Sequence, residues 1–172
     1  MANKRIDKVE ADKEKDTAFE KSTFCMEELM PLICERLAAG QSIKFSPHGV
    51  SMLPMLRPSG DCVVLSPCPK KLKKYDLPLY RREDGSYVLH RVVRVGESYT
   101  CIGDNQVGLE RGVTHEQVIG VVTAFIKDNK EHSVNEWRYR VYCRLRHYGR
   151  PVRRVYRALK SRTFGIMRKI FS

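Results

Sequence analysis

The sequence predicts a mainly β fold, a small antiparallel β domain with an N-terminal amphipathic helix and a basic C-terminal helical tail. Short β-branched and aromatic runs, separated by Pro, Gly and Asp, fill the middle of the chain. Apolar residues at helical spacing come before them, and an arginine-rich run at helical spacing follows. At 172 residues the chain is long enough for one such domain with tails.

The first part of the chain divides into a charged arm and a helix. Residues 1–22 alternate acids and bases with few apolar anchors, which predicts a frayed or disordered arm. From Phe24 onward apolar side chains follow helical spacing, and Gly40 supplies a stop. These side chains are Met26, Leu29, Met30, Ile33 and Leu37. The helix and the β runs after it form one predicted domain over residues 23–132.

Six runs predict the strands of this domain: SIKFSP, CVVLSP, LPLYRR, YVLHRVVRV, SYTCIG and VIGVVTAFIKD. The sequence Glu83–Ser86 predicts a hairpin between the third and fourth runs, because Asp-Gly tolerates the positive φ of a tight turn. This hairpin should place Tyr80 and His90 on neighbouring paired strands. The longest apolar stretch, Val118–Ile126, falls short of the ~20 residues of a spanning helix and predicts a core strand.

The net charge of +12 lies in the last part of the chain. Residues 137–172 hold ten Arg, two Lys and no acid, which leaves 20 bases against 20 acids before them. Residues 133–172 therefore form the predicted basic amphipathic tail, with Pro151 starting its second helix. Its predicted apolar face comprises Val152, Val155, Tyr156, Leu159, Ile166, Met167 and Ile170.

An anionic membrane surface is the favoured partner of the tail, with a solvated or docked helix as the alternative. Nucleic acid is disfavoured because no recognised motif is present.

Six cysteines and five histidines give a weak metal signal. No two cysteines have CxxC spacing, and the histidines are scattered singly, so we expect free, mostly buried thiols, no metal and no cofactor. No secretory signal or spanning segment is recognised in the sequence, which predicts a cytoplasmic protein with peripheral membrane attachment through the tail.

Three short segments carry the candidate chemistry. GVSMLPML at 49–56 places Ser51 after a glycine and before an apolar turn, where a nucleophile is exposed and its backbone N–H is free. VLHRVV at 88–93 interrupts an apolar strand with His90, and GDNQ at 103–106 is a turn sequence. Taken singly, each segment favours a structural role, such as a turn serine or a hydrogen-bonded core histidine.

Together, and in this order, the segments resemble the superfamily of type I signal peptidases and LexA-like serine peptidases. The resemblance covers Phe45–Thr123 and includes SGDCVVLSP at 59–67 and YDLPLYRR at 75–82. The HRV sequence is similar to the histidine-base branch of the endoplasmic reticulum, archaea and some Gram-positive bacteria. The resemblance implies the signal-peptidase/LexA-like fold, Ser51 as nucleophile and His90 as base. It also implies an acid that orients the imidazole, either Asp104 or Glu110.

The implied activity is that of a serine endopeptidase that cleaves a peptide or precursor protein by acyl transfer. Signal peptidases of this branch usually carry a membrane anchor before the nucleophile, whereas here charged residues and one amphipathic helix precede it. This difference bears on the removal of secretory signal peptides rather than on peptidase activity. Gly49 also lacks the hydroxyl that many of these enzymes use as a second oxyanion donor. Two alternatives stay open: a self-cleaving LexA-like regulator cut at Ala39–Gly40, and an inactive membrane-associated binding module of the same fold.

Overall fold

The computed structural model describes residues 26–58 and 60–156, and the chain divides into two units, Met1–Pro31 and Leu32–Ser172. In the first unit the described part is the opening of helix α1, Met26–Ala38, which continues into the second unit. Several predictions lie outside the described residues. They concern the arm at 1–22, the helix start at Phe24 and the tail positions Leu159, Ile166, Met167 and Ile170.

The second unit contains two antiparallel sheets, which confirms the predicted mainly β class. One sheet has the strand order β1-β2-β8-β3-β4 with β9 paired to β8, and the other has the order β5-β6-β7. The strands are β1 Ile43–Phe45, β2 Cys62–Pro67, β3 Pro78–Arg81, β4 Tyr87–Leu89, β5 Arg91–Val95, β6 Tyr99–Ile102, β7 Glu110–Val113, β8 Val118–Lys127 and β9 Lys130–Ser133.

All six predicted runs contain strands, and the hairpin between β3 and β4 forms as expected. Gly85 has a φ of 86° in its turn, and Ser86 N–H donates to Asp84 Oδ1 at 2.9 Å. One placement was wrong: His90 is not part of β4, and Val88 is the residue of β4 that pairs with Tyr80. His90 directly follows β4, because the chain leaves the first sheet there and enters the second as β5.

One cluster of the core joins side chains from both sheets. Its buried members are Leu72, Tyr80, Val92, Tyr99, Cys101, Val113 and Val121. Tyr80 is fully buried, and a buried phenol needs a hydrogen-bond partner for its hydroxyl. That partner lies at the candidate site described below.

Helix α1 ends where the sequence predicts. Ile33 and Leu37 are buried, and after Ala38 the chain closes with hydrogen bonds from Gly40 N to Leu37 O and from Gln41 N to Arg36 O. The Ala39–Gly40 bond therefore belongs to the C-terminal cap of the helix.

The described part of the tail contains helix α2, Trp137–Tyr148, and a further helical stretch over 150–156. Pro151 lies at the start of this stretch, in agreement with the prediction. Within the described residues, no helix has both the length and the apolar character needed to cross a membrane.

Fewer cysteines are buried than expected. Of the five described, all free, Cys101 and Cys143 are buried, Cys62 and Cys68 are half-buried, and Cys34 is exposed. Across residues 26–58 and 60–156, no group of three His, Cys, Asp or Glu side chains is placed to hold a metal ion.

Candidate active site

Ser51 lies in the turn that follows β1. Its apolar side chains point into the core: Met52, Met55 and Leu56 are all buried. Beyond them, the buried Asp61 carboxylate accepts hydrogen bonds from Arg57 Nε at 3.0 Å and from its terminal nitrogen at 2.6 Å. The Gly-Asp of the predicted motif thus closes the segment that carries Ser51.

The predicted GDN turn packs directly against this segment. Asn105 donates from its backbone N–H to Ser51 O at 2.7 Å and from its side chain to Val50 O at 3.1 Å. A Cβ on Gly103 would lie 2.8 Å from Ser51 O and 3.1 Å from His90 Nε2, which is too close for a side chain. Gly103 therefore lets the Ser51 turn and the His90 ring approach the same point.

Ser51 and His90 line one pocket of about 190 Å³. Its apolar walls come from Met52, Leu56, Val88 and Leu89. No hydrogen bond joins Ser51 Oγ to His90 in the described part of the chain. A second histidine, His48, is exposed at the same pocket and was not singled out by sequence reasoning. Its place three residues before Ser51 was the available signal.

The other ring nitrogen of His90 faces two oxygen atoms. Nδ1 lies 3.2 Å from Glu110 Oε2 and 3.2 Å from the Tyr80 hydroxyl. That hydroxyl donates its proton to Glu110 Oε2 at 2.7 Å, so it accepts rather than donates at Nδ1. A neutral His90 ring therefore carries its proton on Nδ1 and leaves the Nε2 lone pair beside the pocket. A general base for Ser51 requires this tautomer.

The electrostatics keep this arrangement in one protonation state. Burial lowers the pKa of His90, and the opposing effect of Glu110 is smaller, so the ring is neutral near pH 7. Hydrogen bonds from Arg82, at 2.5 and 2.8 Å, hold the pKa of Glu110 at about 2. Burial raises the pKa of Tyr80, which stays a neutral phenol. Sequence reasoning placed Tyr80 beside His90 but assigned it no role, and it missed Arg82, although a spacing of two positions places both side chains on one face.

No family model, curated protein or solved structure matches this chain. The motif resemblance spans Phe45–Thr123, and all four predicted site residues lie within that span.

The two candidate acids occupy different places. Glu110 contacts His90, whereas Asp104 is buried and paired with Arg91, which donates to its carboxylate at 2.9 and 2.7 Å. The Tyr142 hydroxyl also donates to Asp104, at 3.0 Å. Thus Ser51 and His90 line the pocket, and Glu110 contacts the Nδ1 side of the His90 ring. Asp104 supports the neighbouring turn.

The backbone N–H of Ser51 is a candidate donor for a developing oxyanion. Among the residues that the structure describes, it donates no hydrogen bond. Gly49 provides no hydroxyl beside it. The arrangement comprises a hydroxyl, a neutral imidazole, a carboxylate that fixes its tautomer and one backbone donor.

Proposed function

We propose that this chain is a serine endopeptidase of the signal-peptidase-like superfamily, in which Ser51 is the nucleophile, His90 the general base and Glu110 the orienting acid. One observation carries the proposal: Nδ1 of His90 is held by Glu110 and Tyr80, while Nε2 borders the pocket that Ser51 lines. Asp104 has a positioning role, because it fixes the turn against which Ser51 packs.

In the proposed reaction, His90 Nε2 takes the proton of Ser51 Oγ as that oxygen attacks a peptide carbonyl. The Ser51 N–H stabilises the oxyanion, and the anionic Glu110 stabilises the imidazolium. His90 then returns the proton to the leaving amine, which gives an acyl-enzyme. Water, deprotonated by His90, releases the acyl group and restores Ser51.

The test uses a serine-directed phosphonylating probe and intact-mass measurement, because neither requires a known substrate. Wild-type protein is expected to take up one probe at Ser51, and Ser51→Ala to take up none. His90→Ala should slow labelling by roughly 10²–10⁴-fold, the usual contribution of a general base. Ser98→Ala and His48→Ala are the matched controls and should label at the wild-type rate.

Several outcomes would contradict this assignment. Labelling that persists in Ser51→Ala removes Ser51 as nucleophile. Slow labelling in His48→Ala, combined with a normal rate in His90→Ala, makes His48 the base. An unlabelled wild-type protein that also cleaves no member of a peptide library favours the inactive binding module. A loss of mass corresponding to cleavage at Ala39–Gly40 during incubation would identify a self-cleaving protein.

A further inference from the structure

Helix α2 has a second apolar face that is exposed to solvent. Tyr139 and Cys143 are buried on one side of the helix, at 7% and 0% exposure. The opposite side carries an exposed stripe, which consists of Trp137 (69%), Val141 (41%), Leu145 (69%) and Tyr148 (68%). Their spacing of four, four and three residues aligns them along the helix. Soluble proteins seldom leave a contiguous apolar row of this kind uncovered.

Cations border the exposed stripe on both sides. At 100° per residue, Arg138 lies along one edge, and Arg140 and Arg144 lie along the other. Arg140 and Arg144 also line a pocket of about 470 Å³, together with Lys73 and Lys74. Among the described residues none of these five side chains takes part in an ion pair. The stripe is thus apolar at its centre and positively charged at its margins.

We propose that the exposed stripe binds the surface of an anionic lipid bilayer, with α2 lying parallel to the membrane plane. The apolar side chains would enter the boundary between headgroups and acyl chains, and the flanking arginines would bind lipid phosphates. Trp137 and Tyr148 stand at the two ends of the stripe, and these residue types are enriched at membrane–water interfaces.

The charge and the apolar character of the exposed stripe favour a lipid surface over other binding partners. A second copy of the chain would bring together two tails that each carry 12 cations and no acid. Residues 157–172 are also basic and without acid, so their sequence offers no opposite charge to the flanking arginines. Nucleic acid would satisfy the arginines, but it would leave the aliphatic Val141 and Leu145 against a polar backbone. An anionic bilayer satisfies both features.

The chain contains a built-in reporter, because Trp137 is its one tryptophan and lies on the stripe. The full chain is mixed with vesicles of phosphatidylcholine alone and with vesicles that also contain phosphatidylglycerol. We expect co-sedimentation and a shift of Trp137 emission to shorter wavelength with the anionic vesicles. Neither effect is expected with the neutral vesicles at physiological salt.

Matched variants distinguish membrane binding by the exposed stripe from binding through the overall charge or hydrophobicity of the protein. Leu145→Ser should weaken binding roughly ten-fold, whereas Leu32→Ser, at an exposed leucine of α1, should leave it unchanged. The triple variant Arg138→Gln, Arg140→Gln, Arg144→Gln should lose affinity on the order of 100-fold. A control triple removes the same charge from exposed cations elsewhere, Lys44→Gln, Arg94→Gln and Lys130→Gln, and should stay within about three-fold of wild type.

The proposal is overturned if the protein sediments with anionic vesicles and Trp137 emission does not move, because another part of the chain then binds. It is also overturned if the control variants lose as much affinity as the stripe variants. A single-stranded oligonucleotide that shifts the emission, while vesicles do not, would identify the stripe as a nucleic-acid surface instead.

Discussion

His90 lies where the chain leaves one sheet and enters the other, and this position explains how a buried imidazole borders a pocket. The side chain is 2% exposed, and Nδ1 faces the Tyr80 hydroxyl, which is part of the core. Nε2 faces Gly103, where the absence of a side chain leaves room. One nitrogen is thus held by neighbouring side chains, and the other borders the pocket.

The role of Glu110 is tested by Glu110→Gln, which keeps a hydrogen-bond acceptor near Nδ1 and removes the negative charge. Glu110 raises the pKa of His90, so its loss lowers that pKa further. The acid limb of the labelling rate should therefore move to lower pH, because neutral His90 then persists to lower pH. The plateau rate should fall about 100-fold or more, because the imidazolium loses its stabilising charge. The measurement is the pH profile of probe inactivation.

An exposed acid provides the control for this experiment. Glu97→Gln is expected to leave both the acid limb and the plateau unchanged. If Glu110→Gln behaves like Glu97→Gln while Asp104→Asn moves the acid limb, then the assignment of the orienting acid is reversed.

At the scale of single residues, the motifs named Ser51, His90 and two candidate acids, but they did not give all the contacts among these residues. Ser51, His90 and Glu110 were predicted because each lies in or near a short linear segment. The contact between Tyr80 and Glu110 depends on how strand β3 packs beside β7, which no local pattern encodes. The sequence also could not distinguish Asp104 from Glu110 as the acid beside His90. That distinction depends on Arg91, whose buried guanidinium pairs with the Asp104 carboxylate.

Helix α2 docks on this buried ion pair. Arg91 donates to the Tyr139 hydroxyl at 2.7 Å and to Cys143 Sγ at 2.9 Å, while Tyr142 donates to Asp104. A buried pair of charges is stable only when its remaining donors and acceptors are satisfied, and α2 provides these partners. The first helix of the basic tail is therefore an integral part of the β domain.

Two tyrosines of α2 allow a matched test of this docking. Tyr142→Phe removes a hydrogen bond to a buried carboxylate and should lower the free energy of unfolding by about 1–3 kcal/mol. Tyr148→Phe removes a hydroxyl from a side chain that is 68% exposed and should change it by less than about 0.5 kcal/mol. Urea denaturation of both variants gives the comparison. Equal stabilities would show that the Tyr142 bond contributes nothing to docking.

The elements themselves were predictable where the local pattern was strong. Six apolar runs contain strands, and Asp84-Gly85 marks the hairpin turn. Strands β7 and β9 were missed because ERGV and KEHS are polar and form strands through pairing with β6 and β8. The sequence also did not predict that one side of α2 is buried. Tyr139 and Cys143 lie among arginines in the sequence, and the residues that they contact come from the β domain.

In the second unit, the tail and the candidate site are connected through one turn. Asp104 binds Arg91 and Tyr142 with its carboxylate, and its backbone carbonyl accepts a hydrogen bond from Arg153 at 2.7 Å. The next residue, Asn105, donates to the backbone of Ser51. Since the GDN turn contacts both, displacement of α2 would disturb the packing of Ser51, the proposed nucleophile, and would also lower the stability of the domain.

Two truncations measure how strongly the tail contributes to the free energy of unfolding of the whole molecule. A chain that ends at Glu136 loses the buried Tyr139 and Cys143, so its free energy of unfolding should fall by at least about 3 kcal/mol. A chain that ends at Tyr156 keeps α2 and Arg153 and should remain within about 1 kcal/mol of wild type. Thermal and urea unfolding provide the measurement, and probe labelling of Ser51 should decline with the shorter chain alone.

If both truncated chains are as stable as the full chain, then α2 does not stabilise the domain, and the Arg91–Asp104 pair is stable without it. If the shorter chain does unfold readily, truncation at Glu136 both removes the exposed stripe and destabilises the domain. Vesicle binding by the stripe must then be measured with the surface variants of α2.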